Sequence, residues 1–377
     1  MNKQWTDTLE QRWIAPAYAG WVVLAISIGL FMAATNTMTG WLYVLSAIGL
    51  VLAAIAAILP VKSLQALSLE HLPLAPVTVG DELLIELRIH NKSLQPQTMF
   101  QVYEYLPPNL SLGKIDPLPI ERVPAQGTHI AKIRCLTNRR GVYRWDRVEL
   151  RSGQPLGLFW CRRSRRAAAQ VWVYPQHLRL AQCPVVDNFA SPSSIDPSES
   201  MQRAQLSTYG TTRSLRPYRM GDPLRLIHWR SSARYGEFRV RELEAVHTAP
   251  VVTICLNAVA PWAELPFEQA VVAAASLYFY ATAQQLTVNF WTSQHGSLQG
   301  QHAVLQALAE IEIGASGAAP PTEPLLWMTS DSQGLDALPP DSRYVTWGEN
   351  SSRLPGLSID PHAPLAHQLQ KNLTTHG

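Results

Sequence analysis

Nine arginines and no lysine fall between Arg203 and Arg241, accompanied by only two acids, Asp222 and Glu237. Arginine used to the exclusion of lysine suits recognition of a planar anion. The guanidinium fork donates two parallel hydrogen bonds to a carboxylate or phosphate, where an ammonium offers a point charge. The densest part reads Leu215-Arg216-Pro217-Tyr218-Arg219-Met220-Gly221-Asp222-Pro223-Leu224-Arg225-Leu226-Ile227-His228-Trp229-Arg230. Its candidate binding residues are Arg216, Tyr218, Arg219, Gly221, Asp222, Arg225, His228, Trp229 and Arg230. Met220-Gly221-Asp222-Pro223 reads as a turn, and Asp222 is placed to cap a short helix that Pro223 would begin. On that helix Arg225 and Trp229 share a face, which suits a cation–π contact.

Three uses of this segment compete. In the first, the arginines and a buried Trp229 clamp neighbouring domains together through paired contacts. In the second, the segment docks an acidic partner protein. In the third it binds phosphate, nucleotide or nucleic acid, but no Gly-rich phosphate loop or nucleic-acid module accompanies it. His228 has the chemistry of a general base. A lone histidine beside a tryptophan reads first as structural, and the sequence assigns no catalytic residue. An enzyme or ligand sensor would bring Arg219, Asp222, Arg225 and His228 together in a pocket between domains. A scaffold would bury Trp229 and leave the arginines paired or facing outward.

The rest of the chain offers no familiar reaction centre. Gly-x-Ser-x-Gly, His-Glu-x-x-His and the Walker A loop do not occur. Cys135, Cys161, Cys183 and Cys255 lie far apart with no CxxC pair. They read as small buried hydrophobes of a reducing compartment. A net charge of +3 is too small to argue for a nucleic-acid partner. No cofactor is expected.

The elements that position the arginine segment begin with a membrane anchor. No charged residue lies between Arg12 and Lys62. As one helix this run would extend about 70 Å, against a hydrocarbon core of ~30 Å. The polar segment Thr35-Asn36-Thr37-Met38-Thr39-Gly40 therefore divides it into two spans, near residues 17–34 and 41–59. Trp13, Tyr18, Trp41 and Tyr43 lie near the span ends, where amphipathic rings favour the interface. Lys3, Arg12 and Lys62 flank the spans and the connecting loop has no Lys or Arg. The positive-inside tendency places both ends in the cytoplasm, which makes this a multi-pass cell-membrane protein with a cytoplasmic soluble part.

After the anchor segment (1–62), residues 63–180 read as a β-sandwich-like domain, with strands near 82–90, 98–105, 128–136, 145–150 and 169–173. Residues 181–206 have linker composition, with a mobile excursion expected at 191–198. The arginine-rich segment takes 207–242. Residues 243–350 alternate strands (251–256, 286–291, 325–328, 344–347) with helices (267–283, 302–313), the pattern of an open α/β sheet. The tail, 351–377, has little patterning and reads as partly disordered. The fold class expected is therefore a multidomain β plus α/β chain behind a transmembrane helical hairpin.

The spacing of Arg216-Pro217-Tyr218, Gly221-Asp222-Pro223, Ile227-His228-Trp229-Arg230, Ser232-Ala233-Arg234 and Val240-Arg241-Glu242 resembles the signature of the "domain of unknown function 58" family. Arg140-Gly141-Val142-Tyr143, Pro155-Leu156-Gly157-Leu158-Phe159 and Val173-Tyr174-Pro175 resemble the family elements that precede it. The resemblance covers most of the chain. One departure is Gln154, where relatives often carry an aspartate. The resemblance implies a membrane-anchored scaffold or accessory protein with an assembly role in a bacterial envelope. A MoxR-type AAA+ ATPase is the first partner it implies. It also implies a von Willebrand factor A-like C-terminal domain. Such domains hold magnesium through Asp-x-Ser-x-Ser after the first strand, but here that place reads Asn257-Ala258-Val259-Ala260-Pro261. With Asp331 as the one nearby carboxylate, a hard cation lacks its oxygen ligands and no metal is expected.

Overall fold

The computed structural model describes residues 14–190, 212–220, 222, 224–243, 251–348 and 354–373. The charge-free run forms two helices, α1 (Tyr18–Thr37) and α2 (Gly40–Gln65), each long and apolar enough to cross a membrane. The break between them is short: Met38 adopts a left-handed conformation at φ 49° and Thr39 is extended. Gly20, Ser27 and Ala34 of α1, and Ser46, Ala53 and Ala56 of α2, are buried. Such small residues allow close helix approach, and the Ser46 hydroxyl donates to the Ser27 carbonyl at 2.8 Å. Large residues such as Trp21, Ile26, Phe31, Val44, Ile48 and Val51 face outward.

The second helix runs past the end expected at residue 59, through Pro60 to Gln65. Its last turn is held by the β-structure that follows. Leu64 is wholly buried in the β-core, and Arg165 Nη2 donates to the Leu64 carbonyl at 2.9 Å. A cation on the exposed carbonyls favours a helix C-terminus.

Contacts divide the chain into two units, residues 1–176 and 177–377. In the first, β1 (Ala15–Pro16), β2 (Leu67–His71), β3 (Val77–Thr78), β4 (Glu82–Asn91), β5 (Gln97–Glu104), β6 (Leu118–Val123), β7 (Thr128–Leu136), β8 (Gly141–Ser152) and β9 (Phe159–Tyr174) form two sheets. One has the order β1-β9-β8-β5-β6, with β3 also pairing β9; the other is β2-β4-β7. Along β4, Leu83, Ile85, Leu87 and Ile89 are buried in alternation. Leu87, Ile89 and Ala131 of the smaller sheet share a core with Phe100, Val102, Val148 and Leu150 of the larger, so the sheets pack face to face. β8 and β9 extend well beyond the segments expected at 145–150 and 169–173. Their arginine-rich outer parts do not alternate, yet they close on Glu149, which is fully buried. Glu149 accepts from Arg147 Nη2 at 2.5 Å and from the Tyr105 hydroxyl at 2.9 Å, with Arg162 Nη1 at 3.6 Å.

The second unit begins inside the stretch read as the end of the β-domain and a linker. Helix α3 (Pro184–Ala190) packs on the α/β sheet, with Cys183, Val185 and Val186 buried in its core. The segment 191–198, expected to be mobile, lies outside the described residues. The arginine-rich segment forms β10 (Thr212–Pro217), α4 (Trp229–Tyr235) and β11 (Arg239–Leu243). After it come β12 (Val251–Leu256), α5 (Glu264–Ala283), β13 (Thr287–Thr292), β14 (Gly296–Leu298), α6 (Gln301–Glu310), β15 (Leu325–Thr329), β16 (Arg343–Thr346), β17 (Gly356–Ser358) and α7 (Leu365–Leu369). The sheet order is β14-β13-β12-β15-β16-β17, parallel except for the β13–β14 pair.

The tail is structured where it is described. β17 extends the sheet beside β16, and Leu357, Ile359 and Leu369 join the core. A three-residue strand is too short to show a period in sequence, and its partner lies in β16, across residues 347–355.

All four cysteines are buried free thiols. Burial pushes the Cys135 thiol up to about 11 and Cys183 up to about 12, and raises Cys255 further. The folded protein at pH 8 is expected to show no fast-reacting thiol towards Ellman's reagent, and all four after unfolding. Because folding raises these values, their linkage favours the fold below the unfolded thiol range. That contribution is lost as pH rises through it towards 11–12.

Candidate functional site

The arginine-rich segment folds as a two-stranded antiparallel hairpin that carries a short helix between its strands. Pro217 pairs with Arg239 and Arg216 with Val240, and the Tyr218 amide donates to the Phe238 carbonyl at 2.8 Å. Ile227 bridges to Val240, and both are buried. The Ser232 hydroxyl accepts from the Arg239 amide at 2.9 Å and donates to the His228 carbonyl at 3.1 Å, tying α4 to the hairpin.

Asp222 does not cap a helix, contrary to the turn-and-helix reading of this stretch. It folds back on Arg216, whose two terminal nitrogens each donate to one carboxylate oxygen at 2.7 Å, and it accepts from the Arg219 amide at 2.8 Å. The Arg216 bonds, then the Arg219 amide, hold the Asp222 carboxyl below the usual carboxylate range. The arginine fork is thus matched to a carboxylate, but within the chain.

Arg225 and Trp229 do not share a helix. Leu224–Leu226 is a single tight turn and α4 starts at Trp229, with His228 non-helical between them. The physical reason is His228 itself. Its Nδ1 accepts from the Ser231 amide at 3.2 Å and lies 2.7 Å from the Ser231 hydroxyl, an N-cap role that starts a new helix there. A ring nitrogen accepting a backbone N–H is lone-pair occupied, which places the ring proton on Nε2. His228 and Asp222 therefore serve separate local contacts and form no shared constellation. The Arg225 side chain and Gly221 lie outside the described residues.

Trp229 is not buried: it is 63% exposed. Its ring meets Phe238 edge-on at 6.1 Å, and Tyr218 meets Phe238 from another side at 6.2 Å. Phe238, Met220 and Leu224 of the same segment are exposed as well. Arg219, Arg230, Arg234 and Arg241 are also exposed, and none forms an ion pair with a described residue. Arg239 differs, stacking 4.0 Å over Tyr235 and pairing with Glu237 at 2.9 Å. The sequence reading missed Phe238 as the hub of this surface. Its only signal was an aromatic placed just after Gly236, the left-handed cap that ends α4.

The C-terminal edge of the α/β sheet is where open sheets of this kind bind ligands. Here it is filled by aromatic side chains. Trp262 and Trp347, each 8% exposed, meet at 5.5 Å, and their indole N–H groups donate to the Asn257 carbonyl and to Gln269. Asp331 accepts from the Gln333 amide in a local turn. Among the described residues no group of three or more His, Cys, Asp or Glu side chains gathers as a metal would require.

No family model matches the chain, and no curated protein matches it. Solved structures give weak likenesses. A PapD-like domain of human CEP192 is similar over 30% of this chain and 87% of its own length, at 11% identity and TM-score 0.23. The CARDB domain of a Pyrococcus furiosus protein, solved with di-metal ions, is similar over 27% and 86%, at 12% identity and TM-score 0.18. A GH20 exo β-N-acetylglucosaminidase from Vibrio harveyi covers 59% of this chain and 29% of its own, at 10% identity and TM-score 0.18. At such scores none carries an argument about function.

Proposed function

We propose that this protein is a membrane-tethered scaffold of the "domain of unknown function 58" type, in which residues 212–243 dock an acidic protein partner. The observation that carries the reading is the Trp229–Phe238–Tyr218 cluster, with Trp229 and Phe238 exposed, in a segment whose exposed Arg219, Arg230, Arg234 and Arg241 form no ion pair with a described residue. Aromatic anchors surrounded by arginine are the composition of interface hot spots. The two apolar helices tether this surface to the inner face of a cell membrane, and the C-terminal sheet is a von Willebrand factor A-like platform. A MoxR-type AAA+ ATPase is the first candidate partner, by family resemblance. The alternative, an arginine-lined enzyme or sensor pocket, loses its two key groups, because His228 caps α4 and Asp222 is held by Arg216.

The test compares wild-type protein with a Trp229→Ala, Arg230→Glu variant, both crosslinked in native membranes. Because both side chains are exposed, the melting temperature is expected to change little, by about 0.5 kcal/mol or less in stability. Recovery of the AAA+ ATPase is expected to fall at least roughly tenfold, as loss of a hot-spot residue implies. Equal recovery from both proteins would place docking elsewhere and end this reading.

A further inference from the structure

A groove of about 530 Å³ opens on the larger sheet of the first unit, lined by Met99, Ile120, Arg151, Pro155, Leu156 and Trp160 among others. Met99 is 70% exposed and Leu156 49% exposed, large apolar side chains with no obvious reason to face water. Arg151 lies over the Trp160 ring at 4.3 Å.

The position of this groove along the helix pair is fixed by the residues beside it. Pro16, just before α1, pairs with Phe159, and the Ala17 amide donates to the Leu158 carbonyl at 2.8 Å. Phe159 is buried against Ala53 and Ala56 of α2, with Leu158, Ile14 and Leu24 packed around it. Ala56 stands six positions before Lys62, roughly 9 Å along the helix axis. Lys62 is the first charge after the apolar run and marks the level at which the helix leaves hydrocarbon. Leu158 and Phe159 are therefore level with the outer part of the hydrocarbon layer. β9 leads from Phe159 towards Arg165, which holds the Leu64 carbonyl near the end of α2, and residues 153–157 form the turn that joins β8 to β9 at the Phe159 end. Thr98 donates to Gln154 at 2.7 Å, which brings the Met99 end of β5 to the same level.

We infer that residues 153–158 and the start of β5 rest in the membrane interface, and that the groove between them takes a phospholipid of the bilayer the helices cross. The inference rests on the membrane-spanning reading of α1 and α2. Apolar side chains flanked by Trp160 and Arg151 are the composition of an interfacial contact, in which aliphatic groups enter the acyl boundary and the aromatic ring and cation stay at headgroup level. Leu156 and Gly157 of the groove lining run directly into Leu158 and Phe159, which pack against the apolar helix pair, so the groove adjoins the part of the chain nearest the bilayer.

The test places single cysteines in the full-length protein reconstituted into phospholipid vesicles. The native thiols are buried and do not compete for label. Leu156→Cys and Met99→Cys report on the groove, and Val51→Cys, on the outward face of α2, reports on insertion of the helices. Each carries an environment-sensitive fluorophore, read against lipids bearing a doxyl quencher near the headgroup or near the chain end. Labels at Leu156 and Met99 are expected to be quenched about twofold more by the shallow quencher than by the deep one, as an interfacial depth requires. The Val51 label should show the reverse order. Deep quenching at Val51 with none at Leu156 and Met99 would overturn the inference and leave the spanning helices intact. No quenching at any position would overturn the membrane reading, and this inference with it. Disulfide-linked dimers through Leu156→Cys, without quenching, would assign the groove to a second copy and equally overturn it.

Discussion

Replacing Glu149 with alanine is expected to destabilise the first unit by about 3–5 kcal/mol, the usual consequence of removing one partner from a buried charged network. Glu149 is fully buried, and its carboxylate is met by Arg147, Arg162 and the Tyr105 hydroxyl. Without it the Arg162 guanidinium, whose side chain is only 13% exposed, keeps its charge in a site that no longer holds a counter-ion from Glu149. Burial, then the Glu149 hydrogen bond, raises the Tyr105 phenol; the same carboxylate raises Arg147. Thermal unfolding of the full-length protein in detergent should record a fall of roughly 6–20 °C in the transition of this unit. Arg147→Ala is the informative control. That side chain is 51% exposed, so its removal is expected to cost about 1 kcal/mol or less. Equal losses for the two variants would mean that the surface pair, rather than the buried acid, carries the network.

Gly20→Ala is expected to reverse the usual sign of a glycine-to-alanine change in a helix. Alanine is ordinarily better there by about 0.5–1 kcal/mol. At Gly20, however, a Cβ would lie 2.1 Å from the Leu158 carbonyl oxygen, a backbone atom that is also the acceptor for the Ala17 amide. Relieving the clash moves α1 away from β9, at an expected loss of about 1–3 kcal/mol. Gly29 lies in the same helix and a Cβ there meets nothing within 4 Å. Gly29→Ala should therefore be neutral or slightly stabilising. The measurement is unfolding of both variants in the same detergent. A neutral Gly20→Ala would show that α1 does not seat against residues 158–160. Gly20→Val would enlarge the same effect and loosen the part of the chain that sets the height of the proposed lipid groove.

How much of this was legible in the sequence depends on the range of the interactions involved. The two apolar helices follow from composition, because a charge-free run from residue 13 to 61 has few other stable homes, although the extension of the second to Gln65 does not. Strands β4 and β7 follow from the alternation of their apolar residues, and β12 follows from its short continuous apolar run. The arginine segment was legible as a strongly basic stretch, since Arg203 to Arg241 holds nine arginines, no lysine and only two acids. What its residues do individually was not. Asp222 can cap a helix or receive an arginine, and only the hairpin, which returns Arg216 to within 2.7 Å, decides between them. His228 can act as a base or a cap, and the placement of the Ser231 amide decides that.

Trp229 shows the limit most clearly. A tryptophan within an apolar–basic run suggests burial, because most of its surface is apolar. In the hairpin the buried positions go to Ile227, Val240 and Ser232, and Trp229 is left on the outer face against Phe238. The sequence by itself determined the apolar helix pair, the presence of β and α/β regions, and the arginine-rich stretch, all of which depend on local composition and period. Only the tertiary structure decided that Glu149 is a buried hub, that the tail adds a strand to the sheet, and which arginines face outward. Each of those depends on pairing between residues far apart in the chain, and a one-dimensional pattern does not encode which of the many compatible pairings closes.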